Sequence, residues 1–288
     1  MPATNPFHAM VSGYADLLRT GASIPLGQLA PVARTRIAPG APKILIFSPH
    51  PDDECVTGAL PLRLLRQLGM NVVNVAVTLG SRRDRRTERW QELQAACDHI
   101  GFRLIPTVED GLEGISPASR ARELESWAAS VAVIAGILAR YEPAIVVMPH
   151  EADWHPTHIG THHLVADALS RMPRDFACQV VETEFWGAMG TPNLMIESSV
   201  EDVADLVAAL SLHRGEVARS PYHLRLPAWL MDNVRRGAEL VHGRGEAAPD
   251  FAFATLYRLR RWADGRLQDL PARGRALACG DDLGPLSA

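Results

Sequence analysis

Two short runs of β-type apolar residues, residues 44–47 and 144–148, lie about a hundred positions apart, and each empties into a cluster of histidines and carboxylates. The first leads through Ser48 and Pro49 to His50, Asp52, Asp53 and Glu54; the second leads to His150, Glu151, Asp153, His155 and His158. A turn after a strand needs only one or two Asp, Asn or Gly residues. Three adjacent carboxylates beside a histidine repel one another, so the pattern calls for a cation that offsets the repulsion. Open α/β sheets bind ligands outside the carboxyl ends of their parallel strands, and two reactive loops after two such strands can meet in one crevice.

The segments around these runs alternate between short β-branched stretches and longer amphipathic ones, the pattern of a parallel sheet with crossover helices. Strands are predicted over residues 43–47, 71–78, 103–106 and 144–148, with helices over 56–68, 87–100 and 117–141. Ser116 and Pro117 suit the cap and first turn of the last of these, and Gly69 and Gly101 suit helix C-termini. A further helix is predicted over 158–170, so that a helix N-terminus faces the second cluster. Beyond Pro173, strands near 179–185 and 194–197 and a helix over 200–217 are expected. The fold class is therefore α/β: a Rossmann-like, mostly parallel open sheet, helices on both faces, and a metal site at the carboxyl ends of the strands. Residues 1–40 read as an extension with one short helix over 8–18. Residues 41–288 read as a single α/β domain whose last third, from about 200, carries the weakest pattern.

A chain of 288 residues, 47% hydrophobic with net charge −4, can bury a full core and lacks the basic excess of a nucleic-acid binder. The basic stretch 82–89 is local and interrupted by Asp84 and Glu88. Four widely spaced cysteines without a Cys-x-x-Cys pair indicate neither a disulfide framework nor a cysteine zinc site, which fits a reducing cytoplasm. No leader pattern opens the chain and no apolar run approaches about 18 residues, so no membrane span is expected.

His50 and Asp53, three apart across a strand-to-helix turn, can share a metal. His158, or another histidine of the second loop, would complete a His-Asp-His set that zinc accepts while keeping a position open for water. Nickel, cobalt or ferrous iron could use the same ligands. A cation of this kind acidifies water, and Asp52 is the adjacent carboxylate placed to take its proton. His155 is suited to stabilise the oxyanion of an attacked amide or to protonate the leaving amine. Cys55 reads as core rather than as a nucleophile. No Gly-x-Ser-x-Gly elbow is present, and the turn after the first strand carries acids where a dinucleotide would need glycines.

The segments Pro49-His50-Pro51-Asp52-Asp53-Glu54 and His155-Pro156-Thr157-His158 closely resemble the PIG-L/LmbE-like zinc deacetylases, over about residues 43–200. The resemblance implies zinc held by His50, Asp53 and His158, Asp52 as general base, and His155 as oxyanion stabiliser or general acid. It further implies substrate contacts from Arg89, in an Arg-x-x-Glu-Leu helix, and from Asp110, in an Asp-Gly turn. Glu54, Asp153 and Thr157 would support this set. One departure stands out: Thr157 replaces the aspartate of the family's His-Pro-Asp-His motif. Either Asp153 or Glu151 supplies the missing charge, or His155 titrates lower and works as a neutral donor.

The expected activity is removal of an N-acetyl group from a small N-acetylglucosamine-type conjugate, with self-association plausible and neither nucleic acid nor membrane as partner. Two alternatives are an amidase of a larger acyl or thiol-cofactor conjugate and a carbohydrate-binding homologue of low turnover.

Overall fold

A computed structural model describes residues 5–27, 29, 35–270 and 274–286. The chain begins with helix α1 (His8–Ala22), none of whose residues is buried, and enters the sheet at β1 (Lys43–Ser48). It continues through α2 (Asp53–Val56), α3 (Ala59–Leu68), β2 (Asn71–Ala76), α4 (Arg86–Ile100) and β3 (Arg103–Pro106). Then come α5 (Pro117–Arg122), α6 (Leu124–Tyr141), β4 (Ile145–Pro149), α7 (Pro156–Leu169), β5 (Cys178–Thr183) and β6 (Leu194–Glu197). The last third adds α8 (Val200–Leu210), α9 (Arg214–Arg219), α10 (Leu226–Gly237), β7 (Ala254–Ala263), β8 (Arg266–Asp269) and β9 (Arg275–Leu277).

The strands form one sheet in the order β3-β2-β1-β4-β5-β7-β6-β9, with β8 paired to β7. The first five of these strands are mutually parallel, and β7 runs antiparallel to both β5 and β6. From β1 the chain winds outward to β2 and β3, then crosses back to place β4 on the other side of β1. The sheet therefore reverses its winding between β1 and β4, where an open α/β sheet leaves a crevice at its carboxyl edge.

Strand β1 shows why the sheet is covered twice. Ile44 and Ile46 face a core built with Leu60 and Leu64 of α3, Leu93 of α4 and Leu206 of α8. Leu45 and Phe47 face the other core, with Trp127 and Ile134 of α6 and Leu164 and Val165 of α7. A strand buried on both faces is apolar at every position rather than alternating. Helix α6 has an 18-residue window of mean hydropathy 1.2, long and apolar enough by length and composition alone to cross a membrane. Its Trp127, Val131, Ile134 and Leu138 are buried in the fold.

Several expectations need correction. The helix expected over 56–68 is two helices broken at Gly58 (φ 78°), where a Cβ would lie 2.0 Å from Thr255 Oγ1. That expected over 117–141 breaks at Glu123, and that over 200–217 breaks at Ser211–His213, between α8 and α9. Strand β7 was not anticipated, although it joins the parallel half of the sheet to β6 and β9. Two of its three arginines are matched across strands: Arg260 pairs with Glu182 of β5 at 3.2 Å and Arg258 with Asp269 of β8 at 2.9 Å. Such cross-strand ion pairs let a central strand carry charges that would otherwise argue against it. The N-terminal helix runs four residues past the expected end.

Candidate active site

The crevice at the β1/β4 switch opens into a cavity of about 1110 Å³, lined by His50, Asp52, Asp53, His155 and His158, among others. Pockets for small ligands run to about 300–1,000 Å³, so there is room for a conjugate well beyond an acetamido group.

Three donor atoms form a near-equilateral triangle. His50 Nδ1 lies 3.2 Å from His158 Nε2, and each lies 3.4 Å from Asp53 Oδ2. Tetrahedral bonds of about 2.0–2.1 Å imply ligand-to-ligand edges of about 3.3–3.4 Å, so the triangle has the size of one face of a zinc site. Two further contacts hold the set: Asp53 Oδ2 itself also accepts the His50 backbone N–H at 2.8 Å, and on the far side of its ring His158 Nδ1 lies 3.2 Å from Asp153 Oδ2. A carboxylate on the far nitrogen of a ligating histidine fixes its tautomer and its ring orientation. Burial disfavours charge on both members of the central pair, yet each is held charged by the other and its neighbours. Facing His158 and His50, Asp53 stays well below the usual carboxylate range; Asp53 and Asp153 push His158 up to about 10. The site is thus built to hold positive charge between these side chains, and the donor set fits a divalent cation.

His155 also comes within reach of the two histidines, its ring centroid 4.8 Å from that of His50 and 4.9 Å from that of His158. It is tied differently. As the N-cap of α7, its Nδ1 accepts the Thr157 backbone N–H at 3.2 Å, which leaves Nε2 to carry the ring proton. Burial, then His50 and His158, lower its pKa. The carboxylate of Asp153 accepts the His155 backbone N–H at 2.8 Å and turns its other oxygen to His158; Glu151 is exposed. Of the two ways the Thr157 departure could be met, the geometry therefore matches a neutral His155 donor.

Asp52 sits at φ 111°, a left-handed conformation uncommon outside glycine. Glu54 holds it there: Glu54 Oε2 accepts the Asp52 backbone N–H at 2.9 Å, and Glu54 Oε1 accepts from His213 Nε2 at 2.7 Å and from Cys55 Sγ at 3.1 Å. Glu54, Cys55 and His213 could also reach a shared ion, but Glu54 Oε1 is already taken by His213 Nε2 and Cys55 Sγ in this buried cluster. Tyr222 donates its hydroxyl hydrogen to Asp52 Oδ2. Burial and the charge of Asp53 raise Asp52 to about 6, against the lowering effects of His213, Tyr222 and Arg89.

Arg89 lines the cavity and donates to the Pro51 carbonyl at 3.0 Å. Asp110 is exposed and is not part of the cavity lining; the acid from that loop which does line it is Glu113. The segment 213–236 has a mix suited to a pocket wall or a subunit contact, and Tyr222 does line the cavity, but sequence reasoning missed the bonds of Tyr222 to Asp52 and of His213 to Glu54. Glu54, a carboxylate between an apolar strand and an apolar helix, was the signal that a buried partner such as His213 must exist.

Fold and site together define a doubly wound α/β protein with a donor set at its switch point that could hold a cation. The family model for PIG-L, described as GlcNAc-PI de-N-acetylase, matches residues 45–169. The 1D-myo-inositol 2-acetamido-2-deoxy-alpha-D-glucopyranoside deacetylase of Mycobacterium leprae is 26% identical over 157 residues, 45% of this chain and 50% of that one. The chain thus spans about half the length of that curated relative. The probable N-acetyl-alpha-D-glucosaminyl L-malate deacetylase 2 of Bacillus cereus is 25% identical over 191 residues, 60% of this chain and 83% of that one. Among solved structures, the 4-carboxy-2-hydroxymuconate hydratase of Pseudomonas putida KT2440 superimposes with a TM-score of 0.56 at 16% identity, covering 76% of this chain and 95% of that one. That likeness concerns the fold alone.

Proposed function

We propose that the protein is a metal-dependent N-deacetylase, with zinc as the first metal to test, acting on an N-acetylglucosamine-type conjugate. The observation that carries this reading is the triangle of His50, Asp53 and His158 with Asp52 in the same cavity and not needed as a ligand. The PIG-L match and the sugar deacetylases among the relatives favour amide hydrolysis over the hydration that a similar fold supports elsewhere.

A divalent cation held by His50, Asp53 and His158 would supply a Lewis acid that acidifies water and polarises the amide carbonyl. Asp52 takes the proton of the attacking water; raised to about 6, it is ionised at neutral pH yet basic enough to accept one. His155, neutral and protonated on Nε2, donates to the amide oxygen as negative charge develops there. The proton collected by Asp52 then reaches the leaving amine, and acetate departs. Trp186 and Tyr222, packed edge to face at 5.4 Å, offer the sugar an aromatic wall. Glu54, Asp153 and the Thr157 N–H act by holding Asp52, His158 and His155 in place. Arg89 is retained as a substrate contact; Asp110 is not, because it lies outside the cavity.

The test is metal content together with acetate release from a panel of N-acetylglucosamine conjugates, for wild type, Asp52→Ala and His158→Ala. The expected result is about one zinc per chain, kept in Asp52→Ala and lost in His158→Ala, with acetate released by wild type alone. Release of a larger acid would turn the reading towards an amidase of bulkier acyl conjugates. Sugar binding without turnover, unchanged in Asp52→Asn, would turn it towards a binding protein.

A further inference from the structure

Away from the histidine and aspartate floor, the cavity wall built by the chain after β2 and by α9 is made of guanidinium groups. Arg82, Arg83, Arg85, Arg86, Arg89 and Arg219 all line it, and the wall itself offers two carboxylates, Glu113 and Glu216. Arg82 is paired with Asp84 at 2.5 Å. Glu113 is shared by Arg83 at 2.8 Å and Arg86 at 2.6 Å. Glu216 is shared by Arg85 at 2.8 Å and Arg219 at 2.6 Å, with Arg89 at 4.0 Å. With the Arg82–Asp84 pair set aside, five cations against two anions leave an excess of three positive charges; the exposed Glu88, 3.3 Å from Arg85, reduces the excess without removing it. Packing like charges this closely is unfavourable unless something of opposite sign is received there.

Three of these side chains are fixed in place. Arg85, Arg86 and Arg89 are 18%, 12% and 13% exposed, and each has a buried nitrogen without a hydrogen-bond partner: Arg85 Nη2, Arg86 Nε and Arg89 Nε. Atoms this deep are closed to a ligand as to water, so they mark side chains held by packing, with their charge fixed at the cavity wall. The backbone makes room for two of them. A Cβ on Gly80 would lie 2.0 Å from Arg89 Nη1, and one on Gly215 would lie 1.7 Å from Arg85 Nη2.

We propose that this wall is an anion subsite, and that the substrate carries a carboxylate or phosphate on the part remote from its acetamido group. The placement rests on the deacetylase reading, which puts the acetamido group at the floor. Planar guanidinium forks match both oxyanions, so they share one recognition chemistry.

The experiment is calorimetry on zinc-loaded Asp52→Asn protein, which keeps the wall, with three probes: the methyl glycoside of N-acetylglucosamine, its carboxymethyl glycoside, and N-acetylglucosamine 1-phosphate. At low salt at least one anionic probe should bind about tenfold or more tightly than the methyl glycoside, and which one leads separates carboxylate from phosphate. That ratio should fall towards one in Arg86→Gln and at high salt, and should shrink in Arg83→Gln, a substitution at a 77% exposed side chain that leaves the core untouched. Equal binding of all three probes, no binding of either anionic probe, or an advantage that survives both substitutions would overturn the proposal. Acetate release by wild type is scored separately. An anionic preference without acetate from any probe keeps the subsite and sinks the deacetylase reading; acetate without an anionic preference does the reverse.

Discussion

Replacing Tyr222 by phenylalanine tests whether the proposed base is tuned from the far end of the chain. The hydroxyl donates to Asp52 Oδ2 and stabilises its ionised form. Removing it raises the pKa of Asp52 from its starting value of about 6. A hydrogen bond to a charged group contributes about 1.5–3 kcal/mol, and at about 1.36 kcal/mol per pH unit that is a rise of about one to two units. Asp52 is only half-buried, so water replaces part of the lost donor and the lower figure applies. Taking the pKa from about 6 to about 7, the ionised fraction at pH 6.5 falls from about three-quarters to about one-quarter, a threefold loss, while at pH 8.5 it hardly changes. A bound cation lowers both curves alike, so the difference between the two proteins is the quantity to read. The assay is the pH profile of kcat/KM for acetate release from about pH 5 to 9, with the acid limb of Tyr222→Phe expected about one unit higher. An unmoved acid limb, or an equal loss at every pH, would refute the reasoning; the second result would mean that Tyr222 acts on the substrate instead.

Thr157→Asp places a carboxylate in the first turn of α7 beside His155, whose pKa burial and two neighbouring histidines hold low. The carboxylate favours the imidazolium, so the pH optimum for acetate release should move upward; an unchanged profile would show that His155 does not titrate in the working range. Gly160→Ala would set a Cβ 2.6 Å from the Ser116 backbone nitrogen, where α7 meets the start of α5. Overpacking against backbone costs about 1–3 kcal/mol, read as a lowered midpoint in urea unfolding; a midpoint within error of wild type would show that the two helices can separate freely.

The parts of the molecule legible in the sequence are those whose cause is local. Residues 44–47 and 145–148 declare buried parallel strands because they are apolar throughout, and the acids and histidines after them declare the site because their repulsion needs an answer nearby. What sequence periodicity could not give was set by distant partners. Strand β7 reads as an arginine-rich surface segment until Glu182 and Asp269 are known to face it. The helix breaks at Gly58 and after Leu210 are likewise imposed by tertiary packing, the first against Thr255 and the second where His213 turns in to Glu54. Asp153 was foreseen as a supporting acid, but its carboxylate serves His158, a distinction that only the orientation of the two rings could make.

The reach of those two contacts bears on how the protein is made. His213 and Tyr222 lie 159 and 170 positions beyond the acids they hold, whereas the triangle of His50, Asp53 and His158 closes within the first 158 residues. A chain emerging from the ribosome presents its N-terminal part first, and contacts across long separations form late. The corner of His50, Asp53 and His158 can therefore assemble while Glu54 still lacks its imidazole and Asp52 its phenol. On the proposed reading, a metal captured at that stage would arrive before Asp52 is positioned as the base.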